Sequence, residues 1–183
     1  MSRERTLDTE CIYQGKVLSL RVDTVELPLG RKTKREIVEH GSCVAIVAVD
    51  SEENVLLVRQ FRKPVESDLL EIPAGGIEMG ETPLSCALRE LDEETGILAE
   101  RWEKLGSFYT SPGFCTEYMY LYLATELAPG KLGPDSDEAI EVVRIPLARA
   151  PELITSGEIC DAKSISGLLL ALRRWGKQGG GGS

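Results

Sequence analysis

Histidine is almost missing from this sequence: there is one, His40, and the five cysteines are widely spaced with no Cys-x-x-Cys pair. Zinc sites need several soft ligands close together, and nucleophilic triads need a base beside the nucleophile, so neither chemistry is expected. Cys11, Cys43, Cys86, Cys115 and Cys160 are odd in number, which argues against a disulfide framework and for a reduced, cytoplasmic protein. Positive charge is also scarce. The net charge is −9, and the longest basic run is Arg31-Lys32-Thr33-Lys34-Arg35, a poor start for binding nucleic acid or an anionic membrane. Aromatic residues are 5% of the chain, and Tyr13, Phe108 and Phe114 are read as core side chains rather than base-stacking platforms. No apolar run reaches the roughly 20 residues that span a bilayer, and the polar stretch Met1 to Glu10 does not resemble a secretory leader. Gly179 to Ser183 reads as an appended flexible linker.

Apolar residues, by contrast, are plentiful. They make up 42% of the 183 residues, enough for a real core. The first third alternates with period two, predicting strands over Glu10 to Tyr13, Val17 to Leu27 and Thr33 to Glu39, with a turn at Leu29-Gly30-Arg31. Further strands are predicted at Cys43 to Val49, Val55 to Phe61 and Leu69 to Ile72, the last ending in a tight Pro73-Ala74-Gly75-Gly76 loop. A helix follows. Thr82 suits its N-cap, Pro83 its first position and Gly96 its stop. Strands resume at Lys104 to Tyr109, Tyr118 to Ala124 and Ile140 to Ile145. Short helices are expected at Pro146 to Ile154 and from Asp161 to Trp175. The pattern is mixed α/β.

The helix is unusual in charge. Glu90, Asp92, Glu93 and Glu94 fall within five positions, where like charges repel. On a helical wheel Leu84, Ala87, Leu88 and Leu91 share the side expected to face the core. Glu90, Glu93 and Glu94 share another side, flanked by Arg89, while Asp92 is expected to point into solvent. Converging carboxylates of this kind suit a hard divalent cation such as Mg²⁺ or Mn²⁺. Without the ion, their repulsion should raise at least one carboxylate pKa.

Gly75, five residues, Glu81, seven residues, then Arg89-Glu90-Leu91-Asp92-Glu93-Glu94-Thr95-Gly96-Ile97 match the Nudix box at every defined position. The chain therefore resembles the Nudix hydrolases. That resemblance implies a mixed β-sheet sandwiched between helices, an N-terminal antiparallel strand region, and hydrolysis of a nucleoside diphosphate linked to another moiety. It implies metal ligation by Glu90, Glu94, Glu93 and the carbonyl of Ala74, with Gly75, Glu81, Arg89 and Gly96 supporting the site.

The flanks are similar to the ADP-ribose pyrophosphatase subfamily: Arg35 to His40, Val58 to Arg62, Leu70 to Gly75, Pro112 fifteen residues beyond Ile97, and the acidic loop from Pro134. They imply substrate contacts from Arg62, Glu36, Arg35, Ser111 and Gly113, with Pro112 shaping the loop. Glu138, or failing that Glu93, is implied as the residue that activates water. The implied reaction is Mg²⁺-dependent cleavage of ADP-ribose to AMP and ribose 5-phosphate. Alternatives are another nucleoside diphosphate sugar such as GDP-mannose, a dinucleotide, or a non-catalytic nucleotide-sensing module. The implied organisation is a strand region at 1–40 serving homodimerisation and substrate contacts, a hydrolase domain at 41–178, and the linker at 179–183.

Overall fold

The computed structural model describes residues 4–133 and 140–179, with side chains as far as Trp175. The chain forms two compact units, Met1–Ser42 with Phe108–Tyr118, and Cys43–Ser107 with Met119–Ser183.

The first unit is built on an antiparallel sheet of β1 (Arg5–Gln14), β2 (Leu18–Glu26) and β3 (Lys32–His40). Gly30 closes the β2–β3 turn with φ 79°, a left-handed conformation that glycine adopts without strain. Cross-strand pairs hold the register, among them Thr9 to Asp23 at 3.0 Å and Arg21 to Glu39 at 2.7 Å. The segment after Tyr109 lies along β3: Val38 N donates to the Phe114 carbonyl at 2.7 Å, and Thr116 N donates to the Val38 carbonyl at 3.0 Å. β1 is exposed along its whole length.

The second unit holds a sheet in the order β10–β5–β4–β9–β8, with β6 on β5 and β7 on β4. Its strands are β4 (Cys43–Val49), β5 (Asn54–Arg62), β6 (Ser67–Glu71), β7 (Ala74–Gly76), β8 (Ile97–Tyr109), β9 (Tyr118–Pro129) and β10 (Glu141–Pro146). β4 pairs with β9 in parallel and with β5 antiparallel, so the sheet is mixed. Every residue of β4 is buried, as expected when both sheet faces are covered.

Alternate β4 residues face different helices. Val44, Ile46 and Ala48 pack with Cys86, Ala87 and Leu91 of α1 (Pro83–Thr95). Val47 faces α3 (Ala162–Gly179), which comes so close that a Cβ on Gly167 would lie 3.0 Å from Val47 and 2.8 Å from Ile72. α2 (Ala150–Ser156) precedes α3. The expected sheet between helices is present.

α1 begins and ends where its local chemistry dictates. Thr82 and Ser85 form a capping box, Pro83 takes the first turn, and Gly96 stops the helix at φ 66°. Its buried stripe differs from the expected one. Cys86, Ala87 and Leu91 are fully buried, whereas Leu84 and Leu88 are 40% and 38% exposed. Burial of Leu91 contributes about 1.5–3 kcal/mol relative to exposure and fixes the height of the acidic turn over the sheet.

Candidate active site

The Pro73–Gly76 segment is not a free loop. Ala74–Gly76 is strand β7, paired antiparallel with β4 through Ala45↔Ala74, Val44↔Gly75 and Cys43↔Gly76. Two glycines give this segment no strand propensity of its own, so the fully buried neighbour supplies the pairing. Its position brings it against α1. Ala74 N donates to Glu94 Oε2 at 3.0 Å. A Cβ on Gly75 would overlap the Glu90 carboxylate, so the glycine makes room for that side chain.

Arg89 is the positive partner of the cluster. Its Nη1 donates to Glu90 Oε1 at 2.7 Å and to Glu93 Oε2 at 2.9 Å. Its Nε and Nη2 bond Glu81, each at 3.0 Å, and Nη2 also reaches the Gly76 carbonyl at 3.1 Å. One planar guanidinium thus spaces three carboxylates and ties them to β7. Hydrogen bonding to Arg89 holds the Glu81 carboxyl well below its usual range and pushes the guanidinium's own pKa up.

Two carboxylates shift the other way. Burial pushes Glu94 up to about 7, only partly opposed by the Ala74 N–H. Burial also raises Glu90, against the pull of Arg89. The expected upward shift is therefore present, but loss of water rather than mutual repulsion is its leading cause. Cys86 lies in the same helix, with Sγ donating to the Gly76 carbonyl at 3.3 Å. Burial pushes its thiol up to about 12, so it is no nucleophile.

Asp92 is not solvated. It is 9% exposed, and its Oδ1 accepts from Lys131 N at 3.1 Å and Leu132 N at 3.2 Å. Its carbonyl accepts from Gly96 N at 2.8 Å and Gly133 N at 3.0 Å. It anchors the chain leaving β9 to the end of α1.

The candidate donors are all oxygen: the carboxylates of Glu90 and Glu93, which share Arg89, the carboxylate of Glu94, and the carbonyl of Ala74, whose N–H bonds Glu94. Hard divalent cations select such ligands, and the cradle that Gly75 leaves open for Glu90 is consistent with ligation there. The family described as NUDIX domain matches residues 39–166. The chain belongs to the Nudix family. It is 48% identical to the ADP-ribose pyrophosphatase of Bacillus subtilis (strain 168), over 88% of each chain. It is 45% identical to a methanol dehydrogenase activator of Bacillus methanolicus, over 88% of this chain and 89% of that protein. Among solved structures, an ADP compounds hydrolase superposes with a TM-score of 0.88 at 26% identity, covering 98% of this chain and 97% of that one.

Other sequence-derived Nudix site residues sit as follows. Arg62 ends β5 and is engaged by buried Glu71, with Nε and Nη2 at 2.8 and 2.6 Å from Glu71 Oε2. Arg35 and Glu36 lie exposed on β3 in the first unit, with Arg35 paired to Glu4 at 2.6 Å. Ser111, Pro112 and Gly113 form the turn beside β3 in that same unit, where the Ser111 carbonyl accepts from Cys115 N at 2.9 Å. Glu138 lies outside the described residues. Sequence reasoning missed Glu71 and Lys163, which meet at 2.8 Å in the second unit. A carboxylate inside the apolar run Leu69-Leu70-Glu71-Ile72 was the available signal for the first; nothing local marks the second.

Proposed function

We propose that this chain hydrolyses the diphosphate of ADP-ribose, releasing AMP and ribose 5-phosphate, with Mg²⁺ or Mn²⁺ as cofactor. The observation that carries the reading is the 48% identity, over 88% of each chain, to a protein named ADP-ribose pyrophosphatase. The reading is supported by the presence of every box glutamate, with Glu90 and Glu93 sharing Arg89 and Glu94 bonded to Ala74.

Glu90, Glu94, Glu93 and the Ala74 carbonyl would hold the cation. When bound, the ion neutralises charge on phosphoryl oxygens and lowers the pKa of a coordinated water. The protein does the rest. β7 and α1 hold the ligands in one place, and Arg89 keeps Glu90 and Glu93 spaced apart. Arg62, whose Nε and Nη2 face Glu71, offers Nη1 to the substrate diphosphate. Glu36, Arg35, Ser111 and Gly113 would contact the substrate, with Pro112 shaping their loop. Glu138 takes the proton of the attacking water while the other product leaves as a phosphate monoester. If Glu138→Gln keeps turnover within about twofold of wild type, the base is Glu93 instead.

The active species is a homodimer. β1 exposes Leu7, Ile12 and Tyr13 at 38%, 51% and 58%, and its open edge suits a second copy. Five free thiols favour a reducing, cytoplasmic setting. Among the described residues no helix is long and apolar enough to cross a membrane.

The test is product-resolved hydrolysis of ADP-ribose, GDP-mannose and diadenosine polyphosphates, with Mg²⁺ and with chelator. ADP-ribose should give the highest kcat/KM, and chelation should abolish turnover. A preference for another substrate by about tenfold, or 1.4 kcal/mol, removes ADP-ribose and leaves the family chemistry intact.

A further inference from the structure

The second unit holds a charge cluster that the scheme above uses only at one corner. Glu71, the last residue of β6, has a side chain only 4% exposed. Its two oxygens serve different cations. Oε2 accepts from Arg62 Nε and Nη2 at 2.8 and 2.6 Å, and from Gln60 Nε2 at 3.3 Å. Oε1 meets Lys163 Nζ at 2.8 Å. Lys163 is 14% exposed and shares its ammonium with Asp161 Oδ1 at 2.9 Å. Two cations and two carboxylates balance, which is what permits charge at this depth.

The cluster lies on the path to the metal ligands. Successive residues after Glu71 are each held. Ile72 N donates to Ser164 Oγ at 2.9 Å, the Pro73 carbonyl accepts from Ile46 N at 2.8 Å, and Ala74 N donates to Glu94 at 3.0 Å. Thus the first turn of α3 grips β6 through Lys163 and Ser164, next to the segment that carries the Ala74 carbonyl. Arg62 and Lys163 both pull the Glu94 pKa down against its burial, so their charge is felt in the carboxylate cluster.

Arg62 spends Nε and Nη2 on Glu71, which leaves Nη1 for another acceptor. Where Nη1 points depends on the plane of the Glu71 carboxylate. That plane is set from the far side by Lys163. We infer that Lys163 is a positioning residue for substrate binding: by holding Glu71 Oε1 it stops the carboxylate turning, and so aims Arg62 at the diphosphate. The inference rests on the proposed hydrolase reading, in which Arg62 meets the substrate. With Lys163 gone, Glu71 is held only through Oε2, by Arg62 and Gln60, so its carboxylate can pivot about that oxygen and the guanidinium follows it.

The experiment is a double-mutant cycle on the full chain at saturating Mg²⁺, with kcat and KM for ADP-ribose measured for wild type, Lys163→Met, Arg62→Ala and the pair. Lys163→Met should raise KM about fivefold or more while kcat stays within about twofold, and Lys163→Arg should restore KM. On the Arg62→Ala background the same change should raise KM by less than about twofold, because the effect passes through Arg62. A tether that merely stabilises α3 would lower Tm and leave KM alone. A smaller rise in KM for Lys163→Met, or the same rise on both backgrounds, overturns the inference. Lys163→Gln carries the same test should Lys163→Met fold poorly. Should wild type prefer another nucleoside diphosphate sugar, the substrate reading fails and the cycle is run on that compound. Calorimetric binding of ADP to wild type and the three variants reads the same coupling without turnover.

Discussion

Glu94 and Ala74, twenty residues apart in sequence, are joined by one hydrogen bond of 3.0 Å from the Ala74 N–H to the Glu94 carboxylate. The bond fixes the distance between two of the proposed metal ligands before any ion arrives. It also lets a carboxylate survive burial, although burial still lifts its pKa to about 7.

This shift makes metal uptake and stability depend on pH. In the metal-free protein Glu94 rises from 4.5 to about 7, so the folded chain holds a proton through that window that the unfolded chain has released. Stability from this group is full below 4.5 and is lost as pH climbs through about 7. Mg²⁺ needs the ionised form, so its affinity should rise about tenfold per pH unit below 7 and flatten above. Calorimetric Mg²⁺ titrations from about pH 5.5 to 8.5 measure this directly. A pH-independent affinity would show that Glu94 is not a ligand.

Glu94→Gln should separate stability from catalysis. The amide oxygen still accepts from Ala74, and the cost of a buried charge disappears. At pH 8 the metal-free variant should gain about 1–3 kcal/mol over wild type. Turnover should fall by about 10²-fold or more. Added Mg²⁺ should raise the wild-type Tm and leave the variant's almost unmoved. Thermal melts with and without Mg²⁺, beside steady-state rates, decide it.

Gly75→Ala should injure activity more than fold. The new methyl group would overlap the Glu90 carboxylate, which is the far end of a flexible side chain and can swing aside. Stability should drop by about 1 kcal/mol or less, because little else is disturbed. With Glu90 displaced, kcat should fall roughly 10²-fold. Retention of wild-type kcat would mean that Glu90 does its work from another position.

Asp92→Ala should do the reverse. It strips the acceptor from Lys131 N and Leu132 N, held at 3.1 and 3.2 Å. Leaving those groups unpaired costs about 1–3 kcal/mol, a drop of roughly 2–4 °C in Tm per kcal/mol for a chain of this size. Mg²⁺ affinity should stay within about threefold of wild type, since Asp92 is not a ligand. Melting curves and Mg²⁺ titration on the same sample distinguish the two effects.

What the sequence made legible was what depends on near neighbours. Thr82, Pro83 and Gly96 bound α1 because capping is decided within a few residues. The helical repeat brought Glu90 and Glu93 to the same Arg89 guanidinium. Asp92 was misread because its partners lie some forty positions away on the chain after β9. Ala74–Gly76 was misread because β4, not its own composition, makes it a strand. The helical wheel put Leu84, Ala87, Leu88 and Leu91 on the core side; Ala87 and Leu91 are buried there, but the sheet took Cys86 beside them and left both outer leucines partly exposed. The Glu71–Lys163 pair joins β6 to α3 across ninety-two positions, a relation that no local pattern carries.

The direction of α1 matters as much as its sequence. Backbone dipoles leave a partial negative charge at a helix C-terminus, which ordinarily attracts lysine or arginine. α1 has no basic residue in its last turn, and Glu93 and Glu94 stand there instead. Main chain and side chains therefore build negative potential at the same end of one rigid rod. A carboxylate pair at the opposite end would have been soothed by the backbone's positive pole and would have held a cation less tightly. The polarity of the peptide bond itself is thus recruited as a ligand at a distance, one that no side-chain substitution in the box can remove.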